Sequence, residues 1–365
     1  MARFEGALAR ASARHGLVPA AHAEIISRVC QRAQFDAAAL GREGREGTLA
    51  IPFVKQLTAQ VASESAAAAR HVHGGATSQD VIDTAAVLCL KPACARIAEL
   101  TTRLGDAAAN LARRHRGTRT AARTLLQPAL PVTFGWKAAI WLSMLARGLP
   151  ALRRAADDAC VLQFGGPSGT LSSFGERGAA ILRTLADELG LPPSLVPWHS
   201  ARDRFARLGA ELAMVAGAAG KIGRDVSLLM QPELGEVAEA TKAGRGGSSS
   251  MPHKRNPALS MLALEAAQRA PGLAVTLLGQ LAPEHERGLG QWQSQWFTLR
   301  QLASASASGV AAMGEALAGL EVDPKAMQAN LESLLGGHAQ DSLGCADAMI
   351  EAALADWATA RGTAP

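Results

Sequence analysis

Apolar residues recur every three or four positions between residues 205 and 229. The series consists of Phe205, Leu208, Leu212, Val215, Ala219, Ile222, Val226 and Leu229. A repeat that averages 3.5 residues and persists for about seven turns is typical of a long helix in a left-handed bundle. Charged residues lie off this seam, among them Arg202, Asp203, Arg207, Glu211 and Arg224. The spacing therefore predicts a long helix packed against other long helices.

Four further stretches predict long helices, at residues 80 to about 116, 135–158, 258 to about 281 and about 290–320. Aromatic residues make up 4% of the 365-residue chain and tyrosine is absent, which favours close helix packing over a sheet. We therefore expect an all-α fold. The predicted organisation is an N-terminal helical segment (1–75), a central helical bundle (76–320) and a short C-terminal helical segment (321–365).

Charge and cysteine content restrict the class of protein. The net charge of +5 attracts anions, but the basic residues are dispersed and lack the aromatic interleaving of a nucleic-acid surface. We therefore expect a small polyanionic substrate, and neither a nucleic acid nor a membrane as partner. The five cysteines form no C-x-x-C pair, and no cluster of histidines and carboxylates has the spacing of metal ligands. We expect a cytoplasmic protein without a metal ion.

The segment 244–257, called here the signature loop, combines three serines with two adjacent cations. It contains Ser248, Ser249 and Ser250, followed by Lys254 and Arg255. Asn256 and Pro257 are typical of the N-cap and first position of a helix, so the loop is expected to end on a positive dipole that favours a carboxylate. A capped helix after a flexible linker explains the same residues without any function.

Two other segments, together with the signature loop, resemble a known family of proteins. They are His73-Gly74-Gly75-Ala76-Thr77-Ser78-Gln79-Asp80-Val81-Ile82-Asp83-Thr84 and Arg123-Thr124-Leu125-Leu126-Gln127-Pro128-Ala129-Leu130-Pro131-Val132-Thr133-Phe134-Gly135. Together with the signature loop they resemble the three active-site regions of the fumarase/aspartase superfamily, and are most similar to 3-carboxy-cis,cis-muconate cycloisomerases. The resemblance extends through residues 162–166, 197–199, 221–230 and 284–287, and residues 321–365 resemble an abbreviated form of the superfamily's C-terminal domain.

The resemblance implies roles for individual residues. Ser248 matches the catalytic serine, with Ser249 left open as the active hydroxyl, and Lys254 and Asn256 match the donors to a substrate carboxylate. The matching substrate contacts are Thr77, Ser78, Thr124, Gln127, His73 and Met251. His199 is left out because a histidine in a helical bundle is more often structural. The resemblance implies no cofactor and a homotetramer in which three subunits contribute to each site.

Leu125 discriminates between activities within the superfamily. Fumarase-like and adenylosuccinate-lyase-like members have a histidine directly after the threonine of this segment, whereas Leu125 follows Thr124 here. Leucine cannot protonate a nitrogen leaving group, whereas a cycloisomerase needs no such acid because a carboxylate of its substrate attacks the alkene. The resemblance thus implies a cycloisomerase acting on the tricarboxylate 3-carboxy-cis,cis-muconate. The alternatives are a related muconate such as a sulfonated one, a superfamily lyase such as adenylosuccinate lyase, and a catalytically silent scaffold.

Overall fold

A computed structural model describes residues 1–242, 246–247, 251 and 254–362. The helices in this part of the chain are α1 (Ala2–Arg14), α2 (Ala20–Arg32), α3 (Ala37–Glu43), α4 (Ala50–Ala62), α5 (Ala66–Ala69), α6 (Ser78–Arg114), α7 (Phe134–Ala159), α8 (Gly178–Leu189), α9 (Asp203–Leu229), α10 (Ala258–Leu278), α11 (Gln291–Ala318), α12 (Pro324–Leu335) and α13 (Ala346–Arg361). The strands are β1 (Arg119–Thr124), β2 (Gln127–Thr133), β3 (Val237–Ala238) and β4 (Glu321–Val322). The predicted helical fold is confirmed.

The predicted long helices correspond to α6, α7, α9, α10 and α11. All eight apolar seam residues of α9 are buried, which confirms the bundle interpretation of the heptad spacing. Arg202, placed off the seam by the sequence pattern, is also buried, at 2% exposure. Its guanidinium nitrogen Nη1 lies 2.7 Å from Oδ2 of Asp83, which is buried as well. Burial of the arginine is tolerated because the charge is paired.

The chain packs into two compact units. The first combines Met1–Pro92, Ala156–Arg204 and Gly279–Trp296, and the second combines Ala93–Ala155, Phe205–Leu278 and Phe297–Pro365. Four of the five boundaries between the units fall inside α6, α7, α9 and α11, and the fifth lies at the end of α10. Each unit joins segments that are distant in the sequence, so the two units do not correspond to the three predicted segments. The division into segments 1–75, 76–320 and 321–365 stays a prediction.

The first unit has an aromatic core beside its N-terminal helices. Helix α1 packs against α2 and α8. The ring of Phe164 lies 6.1 Å from that of Phe4 and 5.4 Å from that of Phe174, measured between centroids. These rings bury a large apolar area and bring the 164–174 connection against α1.

In the second unit, small residues let helices α9 and α10 approach closely. A Cβ atom on Gly220 would lie 2.2 Å from Cβ of Ala267, and one on Gly209 would lie 2.3 Å from Cδ1 of Leu277. A larger residue at Gly220 would displace the neighbouring helix, whereas one at Gly209 would require the side chain of Leu277 to move. The expectation of close helix packing is met at these two contacts.

The second unit also contains a β-hairpin that the all-helical expectation did not include. Strands β1 and β2 are antiparallel, with Arg119 opposite Thr133 and Thr124 opposite Gln127. The register shifts between Ala121 and Arg123, as at a β-bulge. Helix α12 covers the hairpin, and Leu331 of that helix packs with Ala121. The second predicted active-site segment therefore forms the end of a hairpin.

Candidate active site

Asp80 organises the first predicted segment, at the start of α6. Its buried carboxylate accepts a hydrogen bond from the backbone nitrogen of Thr77 at 3.0 Å. It also accepts from the backbone nitrogens of Gly165 and Gly166, both at 2.9 Å, and lies 2.8 Å from Nε2 of His199. Four donors satisfy this buried charge. His199 is consequently engaged with Asp80 in the first unit.

Arg287 places a cation beside Thr77. Its Nη1 donates to Oγ1 of Thr77 at 3.1 Å, and its Nη2 donates to the carbonyl oxygen of Pro167 at 3.1 Å. A guanidinium has five N–H donors, more than these two contacts use. An anion bound at Thr77 would therefore meet both a hydroxyl and a positive charge.

His73 precedes this helix start and is bound by a residue of α1. The carboxylate of Glu5 accepts from the backbone nitrogen of His73 at 3.1 Å and lies 2.7 Å from its Nδ1. Burial alone lowers the pKa of His73, but the hydrogen bond that its ring donates to Glu5 and the negative charges of Glu5 and Asp80 outweigh this effect, so the pKa is raised. His73 therefore favours its cationic form more than an ordinary histidine does.

The second predicted segment forms the two-residue turn of the β1–β2 hairpin. Leu125 and Leu126 both have left-handed backbone conformations, with φ of 52° and 66°. Such turns favour asparagine and glycine, and leucine in this conformation is strained. Leu125 is nevertheless 97% exposed. The turn therefore presents an apolar side chain between the two predicted substrate contacts Thr124 and Gln127.

A buried glutamate fixes the base of this hairpin. Glu236 is fully buried, and its Oε1 accepts from Arg123 Nη2 at 2.6 Å. Its Oε2 accepts from the hydroxyl of Thr120 at 3.1 Å, and Asn330 of α12 donates to Oε1 at 3.0 Å. Nearby, burial and the charge of Arg123 lower the pKa of Lys137, against the opposing effect of Glu236. The hairpin is thus bound through charge as well as through apolar packing.

Glu239, rather than Asn256, caps helix α10. Its carboxylate accepts from the backbone nitrogens of Leu259 at 2.9 Å and Ser260 at 2.8 Å, and from the Ser260 hydroxyl at 2.7 Å. The interpretation of Asn256 as the N-cap is therefore wrong. A carboxylate of the protein already lies at the positive end of this helix dipole, and a contribution of the dipole to substrate binding stays a prediction.

The signature loop borders a cavity of about 320 Å³ in the second unit. Its lining residues are Glu239, Ala240, Thr241, Lys242, Gly246, Gly247, Lys254, Arg255, Asn256 and Ala258. The backbone nitrogen of Asn256 donates to the carbonyl oxygen of Gly246 at 2.8 Å, which closes the loop on itself. Arg255 donates to the carbonyl oxygen of Glu239 at 2.7 Å and lies 2.9 Å from Glu321.

Two predicted donors, Lys254 and Asn256, line this cavity. Within residues 1–242, 246–247, 251 and 254–362, neither Nζ of Lys254 nor the side-chain amide of Asn256 makes a hydrogen bond. Both groups are therefore available to a ligand. Freed from the capping role, the Asn256 amide is suited to the carboxylate contact that the resemblance implied.

The predicted site residues thus fall into three groups. His73, Thr77 and Ser78 lie in the first unit. Thr124 and Gln127 face each other across the hairpin, whereas Lys254 and Asn256 line the cavity, which neither hairpin residue joins. Met251, at 40% exposure, belongs to the second unit. Ser248 and Ser249 lie outside the described residues.

Sequence reasoning did not assign roles to five residues that organise these groups. They are Glu5, Asp80, Glu236, Glu239 and Arg287. Two of them had a detectable signal: Asp80 follows Thr77 at the spacing of a capping box, and Glu5 interrupts an apolar helical stretch. The partners of Glu236 and Glu239 lie far away in the sequence, and no local pattern indicates them.

Two classes of site find no support in the described part of the chain. No group of three or more histidine, cysteine, aspartate or glutamate side chains there is arranged to hold a metal ion. No helix among the described residues is both long and apolar enough to cross a membrane.

Comparison with known proteins gives consistent matches. The profile of the lyase family matches residues 1–272. The 3-carboxy-cis,cis-muconate cycloisomerase of Bradyrhizobium diazoefficiens is 48% identical over 92% of this chain and 75% of its own length. The enzyme of that name from Pseudomonas aeruginosa is 48% identical over 91% of this chain and 72% of its own length.

A solved structure matches the fold over almost the whole chain. The 3-carboxy-cis,cis-muconate lactonizing enzyme of Pseudomonas putida superposes with a TM-score of 0.90 at 33% identity. The match covers 99% of this chain and 94% of that structure. The similarity therefore extends from the N-terminal helices to α13.

Proposed function

The chain belongs to the lyase family, and from this premise we propose that it is an enzyme that converts 3-carboxy-cis,cis-muconate to 4-carboxymuconolactone. Two relatives at 48% identity are named for the cycloisomerisation of this substrate. The proposed reaction needs no cofactor, because the substrate supplies both the nucleophile and the alkene.

The observation that carries this choice is Leu125 at the hairpin turn. A lyase that releases a nitrogen leaving group needs an acid to protonate it, and an apolar side chain offers none. Leu125 stands between the two predicted substrate contacts Thr124 and Gln127, and it is almost fully exposed. Ring closure by a carboxylate of the substrate releases no such group and is compatible with leucine.

The charges of the site suit a tricarboxylate. Lys254 and Arg287 are cations, and His73 has a raised pKa. Each lies beside neutral donors, Lys254 with Asn256 at the cavity and Arg287 with Thr77 at the start of α6. Paired cations and hydrogen-bond donors match the geometry and charge of carboxylates. Each of these two pairs therefore suits one carboxylate of the substrate.

The proposed mechanism has two stages. An oxygen of one substrate carboxylate forms a bond to an alkene carbon, and the alkene electrons move to the neighbouring carbon and its carboxylate as an aci-carboxylate. Lys254 and Asn256 stabilise the charge that develops there, which favours the transition state over the ground state. Ser248 then transfers its hydroxyl proton to the neighbouring carbon and regains a proton from the solvent. The trianion and one proton thus give the lactone dianion.

The proposal includes a cytoplasmic homotetramer whose subunits share active sites. Exposed apolar side chains on the hairpin turn and on helices α9–α11 support association between copies. They are Leu125, Leu126, Met214, Met261, Leu262, Val275, Leu278 and Phe297. Large exposed apolar patches on a protein often mark a site of interaction with another protein. The five free cysteines support a reducing compartment.

A spectrophotometric assay with a small substrate panel tests the function. The purified protein should remove the ultraviolet absorption of 3-carboxy-cis,cis-muconate, because ring closure destroys the conjugated diene. A sulfonated muconate and adenylosuccinate serve as competing substrates for the alternatives. Faster turnover of either would replace the proposed substrate, and inactivity toward the whole panel would favour the silent scaffold.

A further inference from the structure

Glu5 is an acid on the buried face of helix α1. It lies in the first turn of α1 and is 1% exposed, between the fully buried Phe4 and the apolar residues Ala7 and Leu8. A carboxylate in such surroundings is costly unless charged or polar partners compensate it. The partner that the structure provides is His73, which lies 68 residues away in the sequence.

The two residues are joined at two points. One oxygen of Glu5 accepts from the backbone nitrogen of His73 at 3.1 Å, and the other lies 2.7 Å from its Nδ1. His73 has a left-handed backbone, with φ of 60°, which residues other than glycine adopt rarely. The carboxylate therefore holds both the strained backbone and the ring orientation of His73.

Among the residues that the structure describes, none makes a hydrogen bond with Nε2, the second ring nitrogen of His73. Nδ1 faces Glu5, so it carries a hydrogen, and a cationic ring carries a second one on Nε2. The side chain of His73 is 19% exposed, whereas that of Glu5 is buried. His73 also lies four residues before Thr77, which receives the hydrogen bond from Arg287. The free donor thus belongs to the segment that carries the predicted substrate contacts.

We propose that Glu5 is a positioning residue that holds His73 as a cationic donor, so that Nε2–H of His73 binds one carboxylate of the substrate. The inference rests on the proposed function for the identity of the substrate. Glu5 itself does not contact the substrate. It acts by fixing the orientation of the ring and by stabilising its positive charge.

The charges around His73 support this role. Glu5 and Asp80 are the charged groups whose fields raise its pKa, and burial acts in the opposite direction. The cationic form is therefore present below the raised pKa and is lost as the pH rises through it. Replacement of Glu5 by glutamine removes the charge, so the loss should occur at lower pH.

Kinetics of Glu5→Gln test the proposal. The KM for 3-carboxy-cis,cis-muconate should rise about tenfold with a much smaller change in kcat, because a charge-assisted contact to the substrate is weakened. The alkaline limb of kcat/KM should move to lower pH. Glu24→Gln, an exposed acid on α2, is the matched control and should change neither quantity. The His73→Gln variant should have a similar KM, and adding Glu5→Gln to it should have little further effect.

A second measurement does not depend on the substrate. Diethyl pyrocarbonate modifies imidazole only in its unprotonated form. Its rate of reaction with His73 against pH, assigned by fragment-ion mass spectrometry that distinguishes His73 from His71, therefore reports the protonation of His73. The midpoint should be lower in Glu5→Gln than in the parent protein. Inactivity of the parent toward the muconate would reject the proposed function while leaving this measurement intact.

Two results would overturn the inference about Glu5. An unchanged midpoint for His73 in Glu5→Gln would show that Glu5 does not stabilise the cation. Failure of His73 to react at any pH in either protein would show that its Nε2 is closed to ligands. If Glu5 were merely structural, its replacement would lower the melting temperature without moving the midpoint or separating KM from kcat.

Discussion

The carboxylate of Glu239 lies 2.9 Å from the backbone nitrogen of Leu259, at the amino-terminal end of α10. The same side chain reaches the backbone nitrogen and hydroxyl of Ser260. In the sequence, Lys254 and Asn256 lie between Glu239 and the start of α10. All three residues line the cavity beside the signature loop. Glu239 therefore fixes the point at which the signature loop becomes a helix.

Replacement of Glu239 by alanine should destabilise the protein by about 1–3 kcal/mol, since it leaves buried donors without an acceptor. Chemical denaturation followed by circular dichroism measures this. Glu265→Ala, which breaks an exposed ion pair on the same helix with Arg269, should cost less than about 1 kcal/mol. Equal losses in the two variants would mean that Glu239 does not act as the cap.

The anchor of the hairpin gives a second prediction. Arg123→Met should destabilise the protein by about 3–5 kcal/mol, because it leaves the charge of the buried Glu236 without its cation. Adding Glu236→Gln should recover part of the loss, because the uncompensated charge is then removed. Unfolding of the single and double variants in urea measures the coupling. Strictly additive losses would contradict an interaction between the two side chains.

Ser248→Ala should lower kcat by orders of magnitude and leave the KM nearly unchanged, because it removes proton transfer rather than binding. Ser249→Ala is the matched control on the adjacent residue and should retain most of the activity. Steady-state kinetics on both variants decides between the two hydroxyls. Full activity of Ser248→Ala would move the proton-transfer role to another group.

The long helices were predictable because their signal is local. The seam from Phe205 to Leu229 repeats at a helical period, and each of its residues is buried. The sequence pattern did not predict the hairpin, because Pro128 and Pro131 in its second strand are typical of a break between helices. Its stability comes instead from Glu236 and α12, which contact it from distant parts of the sequence.

The candidate site was predictable in part for the same reason. The resemblance identified Thr77, Lys254 and Asn256 from short motifs. It did not indicate that Glu239 takes the capping position assigned to Asn256, because that contact spans 20 residues. Local patterns identify residues suited to a reaction, whereas contacts between distant residues decide how each of them is held.

Shared active sites predict recovery of activity in mixed assemblies. Gln127→Ala and Ser248→Ala proteins, each nearly inactive, should regain activity when they are denatured together and refolded. If the two segments come from different subunits, random assortment leaves about a quarter of the sites with both intact. In the control, each variant is denatured and refolded alone, and the two refolded proteins are then mixed. Mixed tetramers without recovered activity would place both segments in one chain or reject the shared site.

Proton NMR of the reaction in D₂O tests the central claim most directly. The proposed mechanism forms one carbon–oxygen bond and delivers one proton to the neighbouring carbon. The account therefore predicts that 3-carboxy-cis,cis-muconate becomes 4-carboxymuconolactone with a single deuterium on the carbon next to the new carbon–oxygen bond. Unchanged substrate, or a product other than this lactone, would contradict the assignment of the chain as a cycloisomerase.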